Sequence, residues 1–274
     1  MAQKRPEHHP VKRLGQNFLA DRRIAEDIVA SASLSKRDTV LEPGPGEGAL
    51  TRLLLEKAAR VIAVEKDRNL ASRLKNSLGE FHNLEMIEGD VLEVELPEFN
   101  KVVSTPPYYL SSKLIIFLAK IEFDLASIVL QKEFGERLSA KPGSSDYGRI
   151  SIISNRQFGV EILQQIPRTA FHPRPKVDSV LVRLSKKPPT QGVDEGFFED
   201  LVRGIFTQRK RLAKSALAHF LSLRFGRETA LEALKEVTVP DARVFQLSIA
   251  QLENLSIRLY TLIYKAGGAR PSTS

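Results

Sequence analysis

Three carboxylates in this chain each follow a short apolar run, and the first opens a glycine-rich turn. That turn reads Glu42-Pro-Gly44-Pro-Gly46-Glu-Gly48 and follows Thr39-Val-Leu41. Glycines at this spacing let a backbone reverse sharply and approach a ligand without a Cβ clash. A helix beginning just after them offers its first amides to the ligand. Gly44-x-Gly46-x-x-Ala49 also satisfies the dinucleotide fingerprint, so the turn alone does not separate two nucleotide classes. The carboxylates around it say more. Glu42 precedes the first glycine by two residues, and the loop adds Glu47 and no basic residue, which suits a cationic ligand end better than a pyrophosphate. Glu65 ends the run Val61-Ile-Ala-Val64, where a carboxylate accepts from both ribose hydroxyls in either class. Gly89-Asp90 follows Leu84–Ile87, where an Asp can read an adenine amino group. A nucleoside with a cationic tail, S-adenosylmethionine, is the ligand expected, with Lys66 and Val91 in the same binding set. The plainer reading makes Glu42 and Asp90 turn formers and helix caps, and an NAD-binding oxidoreductase is the competing class.

These residues need a parallel sheet to bring them to one edge. Apolar runs at 39–42, 61–64, 84–87, 101–103 and 126–130 read as strands. Helical patterns lie at 49–58, after Asp67 and at 113–120, and a further helix starts near Asp21, through Ile24, Ile28 and Val29. Strands alternating with helices mean a parallel sheet covered on both faces. Two later segments, around 149–160 and 177–184, have no helical pattern between them and predict an antiparallel hairpin at the sheet edge. Lys186-Lys-Pro-Pro-Thr-Gln-Gly192 reads as a linker. Beyond it, residues 197–206, 211–223, 228–235 and 249–264 read as amphipathic helices. The division expected is therefore a domain over 1–187, with a basic N-terminal segment, and a small all-α domain over 188–274.

Composition narrows the partners. The chain has 274 residues, 41 basic and 33 acidic, and a formal net charge of +8. It has no cysteine, which excludes disulfides, thiolate metal sites and cysteine nucleophiles. The five histidines are mostly scattered, so no metal site is expected. No apolar run approaches the roughly 20 residues that span a bilayer, and a cytoplasmic protein is expected. The positive charge is uneven. Residues 1–37 carry eight basic and four acidic side chains, and residues 165–214 carry eleven and five. Charge gathered into two segments has the form of a nucleic-acid footprint, although chance clustering gives the same pattern.

After Val102-Val-Ser104 comes Thr105-Pro-Pro-Tyr108, and here the chain resembles a known family. Adenine amino-methyltransferases carry an Asn (or Asp)-Pro-Pro-Tyr-type motif at this place. Over about residues 11–265 the sequence is similar to the ribosomal RNA small-subunit adenine N6,N6-dimethyltransferases of the KsgA type. Besides the glycine loop, Glu65 and Gly89-Asp90, the resemblance includes Leu14-Gly-Gln-Asn-Phe-Leu19, Gln131-Lys-Glu-Phe134 and Phe171-His-Pro-Arg-Pro-Lys-Val-Asp-Ser179. It also includes Phe206-Thr-Gln-Arg-Lys-Arg211, and Pro142-Gly-Ser144 with Tyr147-Gly-Arg149, which looks like the small-subunit rather than the large-subunit branch. The resemblance implies a Rossmann-like α/β methyltransferase sheet with an antiparallel edge strand, an α-helical C-terminal domain, and S-adenosylmethionine as cofactor. It implies that Gln16, Asn17 and Leu19 lie over the methyl donor, that Gly44, Gly46 and their loop hold its methionine part, and that Glu65 and Asp90 hold ribose and adenine. It places Tyr108 and Phe171 on the target adenine as stacking platforms, with the Thr105–Pro106 turn accepting from the exocyclic amine.

The implied activity is methyl transfer to N6 of two adjacent adenines near the 3′ end of small-subunit rRNA, with a role in small-subunit biogenesis by a monomeric enzyme. The chain departs from the family at Thr105, where Asn is usual. Thr has an acceptor hydroxyl but a shorter reach and a β-branch. The alternative is therefore a weakened or monomethylating assembly factor. In the family context Arg22 and Arg23, and Arg209, Lys210, Arg211 and Lys214, become phosphate contacts. Their plainer reading is a solvated helix face.

Overall fold

The computed structural model describes residues 17–265. In chain order the elements are β1 (Phe18–Leu19), α1 (Arg22–Ser31), β2 (Thr39–Pro43), α2 (Ala49–Lys57), β3 (Arg60–Glu65), α3 (Arg68–Ser77) and β4 (Leu84–Glu88). Then come β5 (Lys101–Ser104), α4 (Ser111–Ala119), β6 (Leu125–Gln131), α5 (Lys132–Leu138), α6 (Arg149–Gln157), β7 (Phe158–Ile166), β8 (Phe171–His172) and β9 (Ser179–Lys186). The chain ends in α7 (Glu195–Phe206), α8 (Ala213–Phe225), α9 (Arg227–Glu236) and α10 (Ile249–Tyr260). The described residues form two compact units: 17–136 with 158–187, and 137–157 with 188–265.

The first unit is built on a seven-stranded sheet in the order β4-β3-β2-β5-β6-β9-β7. The first five strands are parallel, and β9 runs antiparallel to both β6 and β7. Val40, Leu41, Val61, Ile62, Val102, Val103 and Ile128 are all buried, as expected for strands covered on both faces. Helix starts follow their local chemistry. The Asp21 carboxylate accepts the amides of Arg23 (2.9 Å) and Ile24 (3.3 Å), and Asp67 does the same for Asn69 and Leu70. Outside the main sheet, β1 pairs antiparallel with β8, setting Phe18 opposite His172 and Leu19 opposite Phe171.

The antiparallel edge expected from the sequence is present, but one of its two segments is corrected. Residues 149–157 form helix α6, and the strand begins only at Phe158. Ile150, Ile152 and Ile153 give this stretch β-branched character, a context-dependent signal. The intervening serines decide against a strand. Ser151 donates to the Arg137 carbonyl and Ser154 to the Leu138 carbonyl, each at 2.7 Å, and both serines are buried. The segment 137–157 belongs to the helical unit, joined to it through the core that Tyr147 and Ile152 enter, which changes the division read from the sequence.

Within that second unit, Tyr147 and Ile152 are fully buried in one core with Phe198, Leu201, Leu217 and Leu252. The Tyr147 hydroxyl donates to the Leu247 carbonyl at 3.0 Å, and burial pushes its pKa up to about 12. Arg156 is the polar centre of the unit. Its guanidinium bonds Glu253 at 2.8 Å and Glu195 at 2.5 and 2.7 Å, and it lies 4.4 Å over the Phe198 ring. Arg156 and Glu253 are largely buried while Glu195 is about half exposed, so removing Arg156 chiefly strands the Glu253 charge. Arg156→Ala is expected to lower the stability of this unit by about 3 kcal/mol, read as a fall in the urea midpoint with unchanged slope. An unchanged midpoint would mean that the network adds nothing.

Candidate active site

The parallel strands reverse order about β2, which has β3 on one side and β5 on the other. At such a switch point the crossover helices leave to opposite faces and open a crevice at the carboxyl ends of the strands. A cleft open to solvent lies there. Short bonds tie the strand ends together beneath it. The Gly44 amide donates to Val64 (2.9 Å), the Gly89 amide to Glu65 (2.9 Å), and the buried Ser104 hydroxyl to the Pro43 carbonyl (2.6 Å).

The loop after β2 turns with Gly44 at φ +67° and Gly46 at φ +57°, both in the left-handed region where other residues are strained. Space is limiting too: a Cβ on Gly46 would sit 3.0 Å from the Phe18 ring. The Gly46 amide donates to Glu65 Oε2 at 3.1 Å, and Oε1 of the same carboxylate accepts from Asp67 at 2.9 Å. Burial pushes the Glu65 carboxyl above its ordinary range despite these bonds. Asp90 Oδ2 pairs with the Lys66 ammonium at 2.8 Å, and its Oδ1 accepts from the Leu92 amide at 3.0 Å. Partial burial opposes ionisation of Asp90, but those two bonds outweigh it and hold its pKa below the usual carboxylate value.

Most of the residues singled out in the sequence meet in this one cleft. Asn17, Leu19, Gly44, Gly46, Glu65, Lys66, Asp90, Val91, Thr105, Pro106, Tyr108 and Phe171 all line it. Gln16 lies outside the described residues. Phe171 enters because β8 pairs with β1, so the segment 17–19 and the loop after β7 cover the cleft together. The Tyr108 ring is anchored by its hydroxyl, 2.7 Å from Ser179 Oγ. Burial raises the Tyr108 pKa, so the phenol stays protonated near neutral pH. Phe18 and Tyr109 also line the cleft, and sequence reasoning passed over both. Tyr109 sits next to a motif residue and Phe18 between Asn17 and Leu19, but the place of Phe18 over the loop depends on the β1–β8 pairing.

Two assignments are corrected. Glu42 does not line the cleft: it is 1% exposed, and its Oε2 has no hydrogen-bond partner. Burial pushes its pKa up to about 8, and the Glu65 charge adds to the rise while the neighbouring Thr51 hydroxyl opposes it. Arg209, in the second unit, is not an open phosphate contact. Its Nη2 donates to the carbonyls of Ser145 and Tyr147, each at 2.9 Å, and its guanidinium lies 5.5 Å from the centre of the Phe245 ring. Lys210, Arg211 and Lys214 are exposed, as are Arg22 and Arg23, with Arg22 paired to Glu26 at 2.9 Å.

The charge balance of the cleft tests what it can hold. Glu47, Glu65 and Asp90 line it against a single cation, Lys66, which Asp90 already pairs. A pyrophosphate would meet an excess of negative charge. A ligand with an ammonium and a sulfonium fits, with its carboxylate at the start of α2, where no side chain caps the helix.

The profile of the family described as ribosomal RNA adenine dimethylase matches residues 8–259. The chain belongs to this family. A probable ribosomal RNA small subunit methyltransferase A of Thermococcus kodakarensis is 42% identical over 244 residues, covering 88% of this chain and 86% of its own length. Among solved structures, a dimethyladenosine transferase from Plasmodium falciparum is similar at TM-score 0.81 and 27% identity, over 89% of this chain and 98% of that one. A 23S rRNA methyltransferase, ErmE, is similar at TM-score 0.64 and 29% identity, over 89% and 99%. This dimethylase family member is thus an S-adenosylmethionine-dependent methyltransferase.

Glu42 gives the folding stability a pH dependence. A carboxyl with pKa about 8 when folded and 4.5 when exposed holds its proton in the native state while the unfolded chain releases it. Its favourable share of stability is complete below pH 4.5 and is lost as pH rises through 8, a change of up to about 4–5 kcal/mol. Glu42→Gln is expected to be increasingly more stable than wild type between pH 5 and pH 8. Urea unfolding at both pH values checks this, and a gap that stays constant would refute the assignment.

Proposed function

We propose that this dimethylase family member transfers methyl groups to N6 of two adjacent adenines near the 3′ end of small-subunit rRNA, during assembly of that subunit. The observation that carries the reading is the single cleft that joins Glu65 and Asp90 to the Thr105–Tyr108 turn and Phe171. The similarity to the Thermococcus small-subunit enzyme at 42% identity, against 29% for the 23S rRNA enzyme, supports the small subunit.

When bound, S-adenosylmethionine supplies an electrophilic methyl on a positively charged sulfur. The glycine loop and the first turn of α2 hold its amino-acid end. Glu65 accepts from the ribose hydroxyls, and Asp90, with Lys66, Val91 and Asn17, holds the adenine. Tyr108 and Phe171 stack on a target adenine turned out of the RNA, an interaction of about 1–3 kcal/mol per base. The Tyr108–Ser179 bond fixes that ring in advance.

The adenine amine is a poor nucleophile because its lone pair is delocalised into the ring. The Pro106 carbonyl and Thr105 hydroxyl accept its hydrogens, draw the nitrogen towards a tetrahedral form and stabilise the charge that develops on attack. Proline restricts φ, so the carbonyl is held in place beforehand. With the reactants held in line, most of the rate comes from positioning. The enzyme acts as a monomer. Lys210, Arg211 and Lys214 on the helical unit, and Arg22 and Arg23 on α1, contact phosphates. An rRNA substrate fits a cytoplasmic place of action.

The experiment is mass analysis of adenines in small-subunit particles incubated with the protein and S-adenosylmethionine. Dimethyladenine is the expected product, and monomethyladenine alone would turn the reading towards the weakened enzyme that Thr105 raises. Thr105→Val, which removes the hydroxyl and keeps the shape, is expected to lower the single-turnover rate by about 10²-fold. An unchanged rate would remove Thr105 from the chemistry.

A further inference from the structure

The loop that carries Phe171 into the cleft also carries a group of cations. We propose that Arg168, Arg174 and Lys176, between β7 and β9, form a phosphate-binding strip that grips the RNA backbone beside the flipped adenine. This rests on the RNA-methylation reading and adds a surface to it.

Position comes first. Arg168 and Arg174 each lie three residues from Phe171, so chain geometry keeps their Cα atoms within about 11 Å of its own. A base stacked on Phe171 brings its flanking phosphates into this range. The three side chains are exposed, and among the described residues none forms an ion pair. The loop's one carboxylate, Asp178, is exposed too, but its Oδ1 is engaged by the Arg168 amide at 2.9 Å, and three cations outnumber it. Arg168 Nη1 donates to the Lys176 carbonyl at 3.3 Å, which draws the two ends of the loop together and leaves further guanidinium donors facing outward.

The loop is also held still, which reduces the ordering cost of gripping a ligand. The Ala170 carbonyl accepts the Ala20 amide at 2.8 Å, β8 pairs with β1, and the Lys132 amide donates to the Asp178 carbonyl at 3.0 Å. Pro173 and Pro175 restrict the backbone on either side of Arg174. Several other basic residues of the same charge-rich stretch are engaged within the protein. Arg183 pairs with Glu161, Arg203 with Asp200, and Lys186 donates to the carbonyls of Ala119 and Ile121 at the end of α4. A rigid set of outward cations beside a base pocket has the chemistry of a backbone contact, which sets register while the pocket selects the base.

The test is the double variant Arg174→Ala/Lys176→Ala, whose deleted side chains make no bond that supports the loop. Binding to unmethylated small-subunit particles is followed between 50 and 200 mM salt. Each lost phosphate contact removes about 0.7–0.9 from the slope of log affinity against log salt. A slope reduced by about 1.5, with affinity about tenfold weaker at the low-salt end and unchanged S-adenosylmethionine affinity, is the expected result. The charge-conserving swap Arg174→Lys/Lys176→Arg is expected to retain the slope. An unchanged slope in the alanine variant overturns the proposal, and so does an equal loss in the swap. Wild type that binds the particle with the expected salt dependence but transfers no methyl group would overturn the proposed activity and leave the strip standing.

Discussion

The placement of β2 between β3 and β5 is the constraint on which the chemistry of this molecule rests. A parallel strand needs a crossover helix to reach its neighbour, and the crossover has a fixed hand. Where successive crossovers leave in opposite directions, the carboxyl ends of the central strands are uncovered. Glu65, Asp90, the glycine loop and the Thr105 turn all stand at those ends. The hydrogen bonds from Gly44 to Val64 and from Ser104 to Pro43 then fix the ends against one another. The cleft thus follows from the sheet order, and its residue types decide which ligand it accepts.

The electrostatics of the chain divide in the same way. A net charge of +8 conceals a cleft with more carboxylates than cations, and the two binding tasks need opposite signs. A cationic cofactor is attracted to the first, and a polyanion to positive charge placed outside it. The basic residues are not equivalent. Arg209 and Lys186 satisfy carbonyl groups, and Arg156 centres a buried network, whereas Lys210, Arg211 and Lys214 are exposed. Charge runs read from a sequence therefore overstate the surface available to RNA, because an Arg with five donors also serves as an internal clamp.

Glu42 illustrates how close a binding carboxylate and a structural one stand. It precedes the first glycine by two residues, yet lies buried with an unpartnered oxygen, while Glu65 faces the cleft and accepts two amides. Both carboxyls are raised by burial, and the charge of Glu65 adds to the rise at Glu42. The glycine loop is thus built over a carboxyl that stays protonated at neutral pH, a local cost accepted next to a functional site.

The local features were legible in the sequence because they depend on near neighbours. Asp21 and Asp67 cap helices through amides two and three residues on, the parallel strands follow from apolar runs between helical repeats, and the glycine turn needs only positive φ at Gly44 and Gly46. The motif residues at strand ends were legible for the same reason. Tertiary structure decided whatever depends on a distant partner. The two-residue pairing of β1 with β8 joins segments about 150 residues apart and puts Phe18 over the loop. In residues 149–157 the buried serines bond the carbonyls of Arg137 and Leu138, and the Arg209 guanidinium is held by the carbonyls of Ser145 and Tyr147. A hydrogen bond to a remote carbonyl, or the loss of solvent around Glu42, leaves no periodic trace in the chain, since it arises only when the units have folded.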